Sequence, residues 1–201
     1  MQQDNKAFQE MLRPAKERLA HRRPADIAEK AGAVITGPEL RLPILGRETF
    51  VTLPSYDPDP SLEEWTALLL LHYLDIADGS AVSPENVTFG NLREGLIRGT
   101  KFDRTAEESL ARFLNGKTPE QIRSACEALD ARFPEDRSDL CAVFRLFPNY
   151  PITVKIWWAD DEFPASGKML VSASADHYLT IEDAVTAGEV LLTRLREAIG
   201  R

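Results

Sequence analysis

The stretch from Trp65 to Ile76, WTALLLLHYLDI, constrains the fold more than any other part of the sequence. A helix there sets Leu62, Trp65, Leu68, Leu69, Tyr73 and Ile76 on one side. Leu70, Leu71 and Leu74 make the opposite side apolar as well, so the helix has to be covered on most sides. It opens at Ser61-Leu-Glu-Glu64, where the Ser oxygen and the Glu carboxylate are spaced to satisfy free amides, and it runs to about Ala77. A chain that buries one helix so fully needs other layers round it. With 201 residues, 43% of them hydrophobic, it has enough for one ordinary core, and the expectation is a single domain over 1–201 with a peripheral helix over 1–23.

The flanking patterns say what the layers are. Phe8, Met11, Leu12, Ala15 and Leu19 make residues 4–21 an amphipathic helix with Pro14 as a kink or restart. Pro24 and Gly32 bracket a second, short helix. Period two follows at Leu40, Leu42 and Ile44, with Gly46-Arg47 as the turn to a return strand at 50–53, and Pro43 predicts an edge strand. Residues 83–103 are the least regular, with a short strand at 87–89. Helices then open at Thr105 with Glu108 and at Thr118 with Pro119 and Gln121. Leu140–Phe147, 152–158 and 168–174 read as three strands, the last two joined by the acidic loop Ala159 to Gly167. Thr180 and Asp183 cap a final helix that Gly200 ends. Strands grouped apart from helices predict the α+β class: an antiparallel sheet, a central buried helix at about 61–77, and a C-terminal helix packed on the sheet.

Charge and motifs narrow the function classes. Thirty-two acidic against 24 basic residues give a formal charge of -8, which repels phosphate backbones and anionic lipid, so neither nucleic acid nor membrane is expected as a partner. The exception is the first 23 residues, where Lys6, Arg13, Lys16, Arg18, Arg22 and Arg23 outnumber Asp4, Glu10 and Glu17. No apolar run reaches the ~20 residues of a membrane span, and MQQDNKAFQE lacks the apolar centre of a leader, so a cytoplasmic location is expected. Cys126 and Cys141 read as small core residues and are too few for a disulfide framework, a four-cysteine zinc site or an iron-sulfur cluster in this chain. Gly90 and Gly95 have the spacing of a phosphate loop, but Leu96 and Ile97 stand where Lys and Ser or Thr would bind phosphate and magnesium. No recognisable catalytic motif is present.

Candidate site residues come from the histidines and the strand ends. His21, beside two arginines, reads as a surface residue. His72 lies one turn from both Leu68 and Ile76, which suits either a hydrogen-bonded core histidine or an axial ligand or base lining a buried pocket. His177, in Asp176-His-Tyr-Leu179, falls where a strand end meets a helix start, a place for either a polar turn residue or a ligand contact. Asp160, Asp161 and Glu162 with Asp176 and His177 have metal-ligand chemistry, yet a hairpin of 152–158 and 168–174 sets the two groups about 20 Å apart. That leaves Asn149, Tyr150, Asp176, His177 and Tyr178 to converge at one end. Trp157, on the strand face opposite Ile156 and Trp158, needs cover from helices or from a ligand.

Leu71-His-Tyr-Leu74, Phe89-Gly-Asn-Leu92, Asp139 leading to Phe147-Pro148, Asp161-Glu-Phe-Pro-Ala165, and Tyr178-Leu179 followed by Glu182-Asp183 resemble, in that order, the bacterial and archaeal family known as domain of unknown function 3786. The resemblance implies no reaction. Relatives are sometimes joined to an iron-sulfur domain, which implies anaerobic redox or cofactor metabolism by association, with an iron-sulfur or corrinoid protein as partner. The leading expectation is therefore a non-catalytic binding module that holds a corrinoid, tetrapyrrole or similar cofactor, or a redox partner, through Asn149, Tyr150, Trp157, Asp176, His177 and Tyr178, with His72 as a further ligand candidate. It requires Trp157 and His177 to be partly exposed beside one concavity. The rival is a metal-dependent or acid/base enzyme that uses His72 or His177, and it requires a carboxylate within hydrogen-bond reach of an imidazole.

Overall fold

The apolar segment is helix α3 (Glu64–Ile76), eight of whose 13 residues are buried, in a computed structural model that describes residues 6–199. Three helices supply the cover: α1 (Lys6–Ala20), α2 (Pro24–Ala31) and α6 (Ile181–Ile199) all pack on it. Asp4 and the predicted stop at Gly200 lie outside the described residues. The predicted capping box at Ser61 does not form. The Ser61 amide donates instead to Asp59 Oδ1 at 2.8 Å, and α3 starts at Glu64 with no side-chain cap. Burial of its apolar faces stabilises this helix without one.

The α+β class and the antiparallel pairing are as the sequence predicts, and the strands divide between two sheets. The first has β1 (Val34–Thr36), β2 (Glu39–Ile44), β3 (Arg47–Thr52) and β4 (Asp57–Pro58) in that order. The second runs β5 (Asn86–Val87), β8 (Ser166–Ser172), β7 (Tyr150–Trp157), β6 (Leu140–Phe147). One continuous cluster of buried side chains draws on all six described helices and both sheets. Two local expectations change. The β2–β3 turn is centred on Leu45-Gly46, both at positive φ (48° and 76°), as a tight hairpin requires, and not on Gly46-Arg47. Pro43 sits in an interior strand, but β1 pairs only with residues 39–41 of β2. At position 43 the neighbouring strand has already ended, so the missing donor costs nothing.

The largest difference is α4, which spans Gly95–Leu114 and so begins ten residues before the predicted start at Thr105. Thr105 is mid-helix, its hydroxyl donating to the Phe102 carbonyl at 3.0 Å. The glycines that look like breakers are packing devices. A Cβ at Gly95 or Gly99 would stand 2.2 or 2.1 Å from the Phe89 carbonyl oxygen, so only glycine lets the turn at Phe89–Asn91 lie on the helix. Asp103 of α4 fastens that turn by accepting from the amides of Phe89 and Gly90, each at 2.9 Å. Asp103→Ala, which strands two partly buried amides, is expected to lower stability by about 2 kcal/mol in urea denaturation. A change below the error of the measurement would show that water replaces the carboxylate.

α4 lies along β8, and α6 packs on α3, α4 and α5 (Pro119–Glu127). Gly188 of α6 is the close point, facing Phe102 of α4 and Met169 of β8. The capping box predicted for α5 is present, with Thr118 and Gln121 bonded reciprocally at 2.9 and 3.3 Å. α1 continues through Pro14, and its basic side chains meet carboxylates: Arg13 with Glu10 and Glu17, Lys16 with Asp57, Arg18 with Asp75. Arg22 also reaches Asp75, and Arg23 pairs with Asp26. Both cysteines are buried and free, and burial pushes the Cys126 thiol up to about 12 and raises Cys141 as well. Neither is expected to react with a thiol reagent at pH 7 to 8 until the protein unfolds. Rapid labelling of the native protein would contradict that burial.

Candidate functional site

Two imidazoles have an aspartate at hydrogen-bond distance, each brought from about a hundred residues away. His72 Nδ1 lies 2.7 Å from Asp183 Oδ1. The pair joins the middle of α3 to the first turn of α6, where Thr180 donates to Asp183 Oδ2 at 2.7 Å and receives the Asp183 amide at 3.2 Å. Burial pushes the Asp183 carboxyl up, but the hydrogen bonds from His72 and Thr180 outweigh it and leave the group below the usual carboxylate range. With Nδ1 held by the carboxylate, Nε2 of His72 is the ring atom left without a hydrogen-bond partner among the described residues. His177 Nδ1 lies 2.7 Å from Asp78 Oδ2 and 3.1 Å from Ser80 Oγ. Serine, histidine and aspartate meet there without forming a nucleophilic triad, because both partners share one ring nitrogen. The His177 hydrogen bond, helped by Ser80, holds Asp78 at about 2, and both side chains are half exposed.

Beside the first pair runs a groove of about 540 Å³ between α3 and α6, closed at one side by Arg98 of α4. Leu68, Leu69 and Val190 form its apolar wall, and Asp183 lines it. His72 stands one helical turn beyond Leu68 on the same side of α3. Trp65 also lines the groove and is 58% exposed, although periodicity places it on the inward face of the helix. It occupies the first turn of α3 on the side that faces the groove, while Thr66 and Ala67 of the same turn are buried. Arg98 pairs with Glu182 at 2.9 Å on the rim, and Glu63 is held by Arg194 at 3.2 Å. A smaller cavity of about 230 Å³ lies between the β2–β3 turn and the end of α6.

The residues predicted to converge near Tyr150 do not make one surface. Tyr150 and Tyr178 are buried in the core. Tyr178 donates to the Ser80 carbonyl and stacks on Tyr73, which in turn stacks on Phe147 with ring centroids 4.4 Å apart. The Asn149 amide donates to the Tyr73 hydroxyl, and its side chain donates to the Lys30 carbonyl, which ties β7 to α2. Asp176 accepts from the Arg93 amide at 2.9 Å. Burial raises the Tyr150 hydroxyl, and nearby Asp176 and Asp183 raise it further; among the described residues that hydroxyl has no hydrogen-bond partner. Trp157 is 39% exposed, but it pairs with Ser166 at the far end of the hairpin, about 20 Å of strand from the His177 junction. Trp157 and His177 are each partly exposed, yet they do not share a concavity. In the acidic loop, Asp160 accepts from the amides of Phe163 and Glu162 at 2.7 and 2.9 Å, which lowers its pKa. Among the described residues no three His, Cys, Asp or Glu side chains converge to hold a metal ion. No described helix is long and apolar enough to cross a membrane.

The sequence model of one protein family, described as domain of unknown function (DUF3786), matches residues 23–194. No curated protein and no solved structure matches the chain. The match covers the groove, both histidine pairs and both sheets.

Proposed function

The chain belongs to the DUF3786 family, and on that footing we propose that it is a binding module whose ligand occupies the groove between α3 and α6. The observation that carries this reading is Trp65, a large aromatic side chain 58% exposed on a concavity of about 540 Å³. That volume lies within the range of small-molecule sites, and an apolar wall with a few charged groups is their usual lining. At the other junction the polar groups of Asn149 and Tyr178 are, by contrast, already bonded to Tyr73, Lys30 and Ser80, and Tyr150 is buried.

A second reading has one specific observation in its favour. Asp183 on Nδ1 of His72 fixes the tautomer that leaves Nε2 as an acceptor, the arrangement of a general base or of a metal-ligating imidazole. A haem fits this groove poorly. His72 is not among the residues that line it, and the carboxylates of Glu63, Glu182, Asp183 and Glu189 would repel the propionates.

Small aromatic and aliphatic fragments added to isotopically labelled protein test the site. Chemical-shift changes are expected at the Trp65 indole and at the amides of 182–190. Changes confined to 176–178 and Asp78 would place the site at the other histidine and overturn this reading.

A further inference from the structure

Resting on the groove as the site, we propose that its ligand is an organic cation, a protonated amine or quaternary ammonium carried on an apolar body. The lining places four carboxylates, Glu63, Glu182, Asp183 and Glu189, against the single guanidinium of Arg98. Three of the four are already bound: Glu182 by Arg98, Glu63 by Arg194 and Asp183 by His72. Glu189 is exposed and makes no ion pair among the described residues, so it brings an uncompensated negative charge to the wall. Trp65 adds the second half of the recognition. The face of an indole carries negative electrostatic potential and attracts ammonium groups more than any other side chain of its kind.

The two features select together. Carboxylates alone would suit an inorganic cation, but no three ligating side chains converge among the described residues, so a chelated metal ion gains little. An aromatic wall alone would accept a neutral or anionic ring. An organic cation with an apolar portion satisfies the indole, Glu189 and the Leu68, Leu69 and Val190 wall at once. Anionic ligands meet the carboxylates at short range, where a groove walled by protein screens charge less than open water does.

The test uses the whole chain and three probes with one aromatic body: 2-phenylethylammonium, 2-phenylethanol and phenylacetate, each titrated while the Trp65 indole resonance is followed. The cation is expected to bind at least tenfold more tightly than either of the others, and to weaken as salt rises. Glu189→Gln is expected to reduce cation affinity at least threefold and to leave the alcohol unchanged. Trp65→Ala, at a position largely open to solvent, is expected to fold normally by thermal denaturation and to lose all three. If the alcohol or phenylacetate binds at the groove as well as the amine does, the choice of a cation is wrong and the groove remains the site. If none of the three shifts any groove residue at millimolar concentration, the groove reading fails and this inference fails with it.

Discussion

Gly99→Ala is expected to destabilise the protein by about 2–3 kcal/mol, although alanine is the better helix former by about 1 kcal/mol. The added Cβ would lie 2.1 Å from the Phe89 carbonyl oxygen, 2.4 Å from its carbon and 2.8 Å from the Gly90 nitrogen. All three are backbone atoms, so no flexible side chain can swing away. Relief requires the turn at Phe89–Asn91 to lift off α4, and that breaks the two amide bonds to Asp103 and opens the edge-on contact of Phe89 with Phe102 at 4.7 Å. Urea denaturation reads the effect as a lower midpoint with an unchanged slope. A gain in stability, the outcome that helix propensity alone predicts, would mean that the turn is not seated where it is described.

The second large effect is at Asp183. Asp183→Ala removes the acceptor for His72, the acceptor for the Thr180 hydroxyl and an anion at the start of α6, for an expected loss of about 2–3 kcal/mol at pH 7. The pair is mostly shielded, with side-chain exposures of 26% for His72 and 13% for Asp183, so water replaces the lost bonds only in part. The same bond length at the surface gives the control. Asp78→Asn, at a pair half open to solvent, is expected to cost under about 1 kcal/mol. The sign of the pH dependence follows from the direction of the Asp183 shift. Its folded pKa lies below the unfolded value of about 3.9, so its contribution is fully present above about pH 5. It is lost as the pH falls through the folded value. The difference between wild type and Asp183→Asn should therefore shrink as the pH falls from 5 toward 3. A difference that grew on acidification would show the carboxyl to be raised.

What could be read from the chain, and what could not, divides by the range of the interactions. α5 and β6 are where local signals place them, because a capping box and an unbroken apolar run are complete within ten residues. α4 begins well before its local cap signal because Gly95 and Gly99 are punctuation in sequence but contact surfaces in space. Their reason is the carbonyl of Phe89, which only the folded turn brings near. The histidine partners were invisible for the same reason, since Asp183 is 111 residues from His72 and Asp78 is 99 from His177. Periodicity places His72 on the apolar side of α3 and the capping pattern marks Asp183, but nothing in the spacing joins them. Trp65 shows the limit of periodicity. Its position is on the apolar stripe, and its exposure comes from the groove that opens between α3 and α6, which no local pattern announces. Conversely, Asn149 and Tyr178 are polar groups at a strand end whose hydrogen bonds fasten the core, and Tyr150 joins them by packing alone.

The groove between α3 and α6 as the ligand site is tested most directly by native mass spectrometry of protein isolated from its own host, in parallel for wild type, Trp65→Ala and His177→Ala. A small-molecule mass retained by wild type and by His177→Ala, and lost from Trp65→Ala, is the predicted result. A bound species that survives Trp65→Ala and disappears in His177→Ala would contradict the account and return the site to the Asp78–His177 junction.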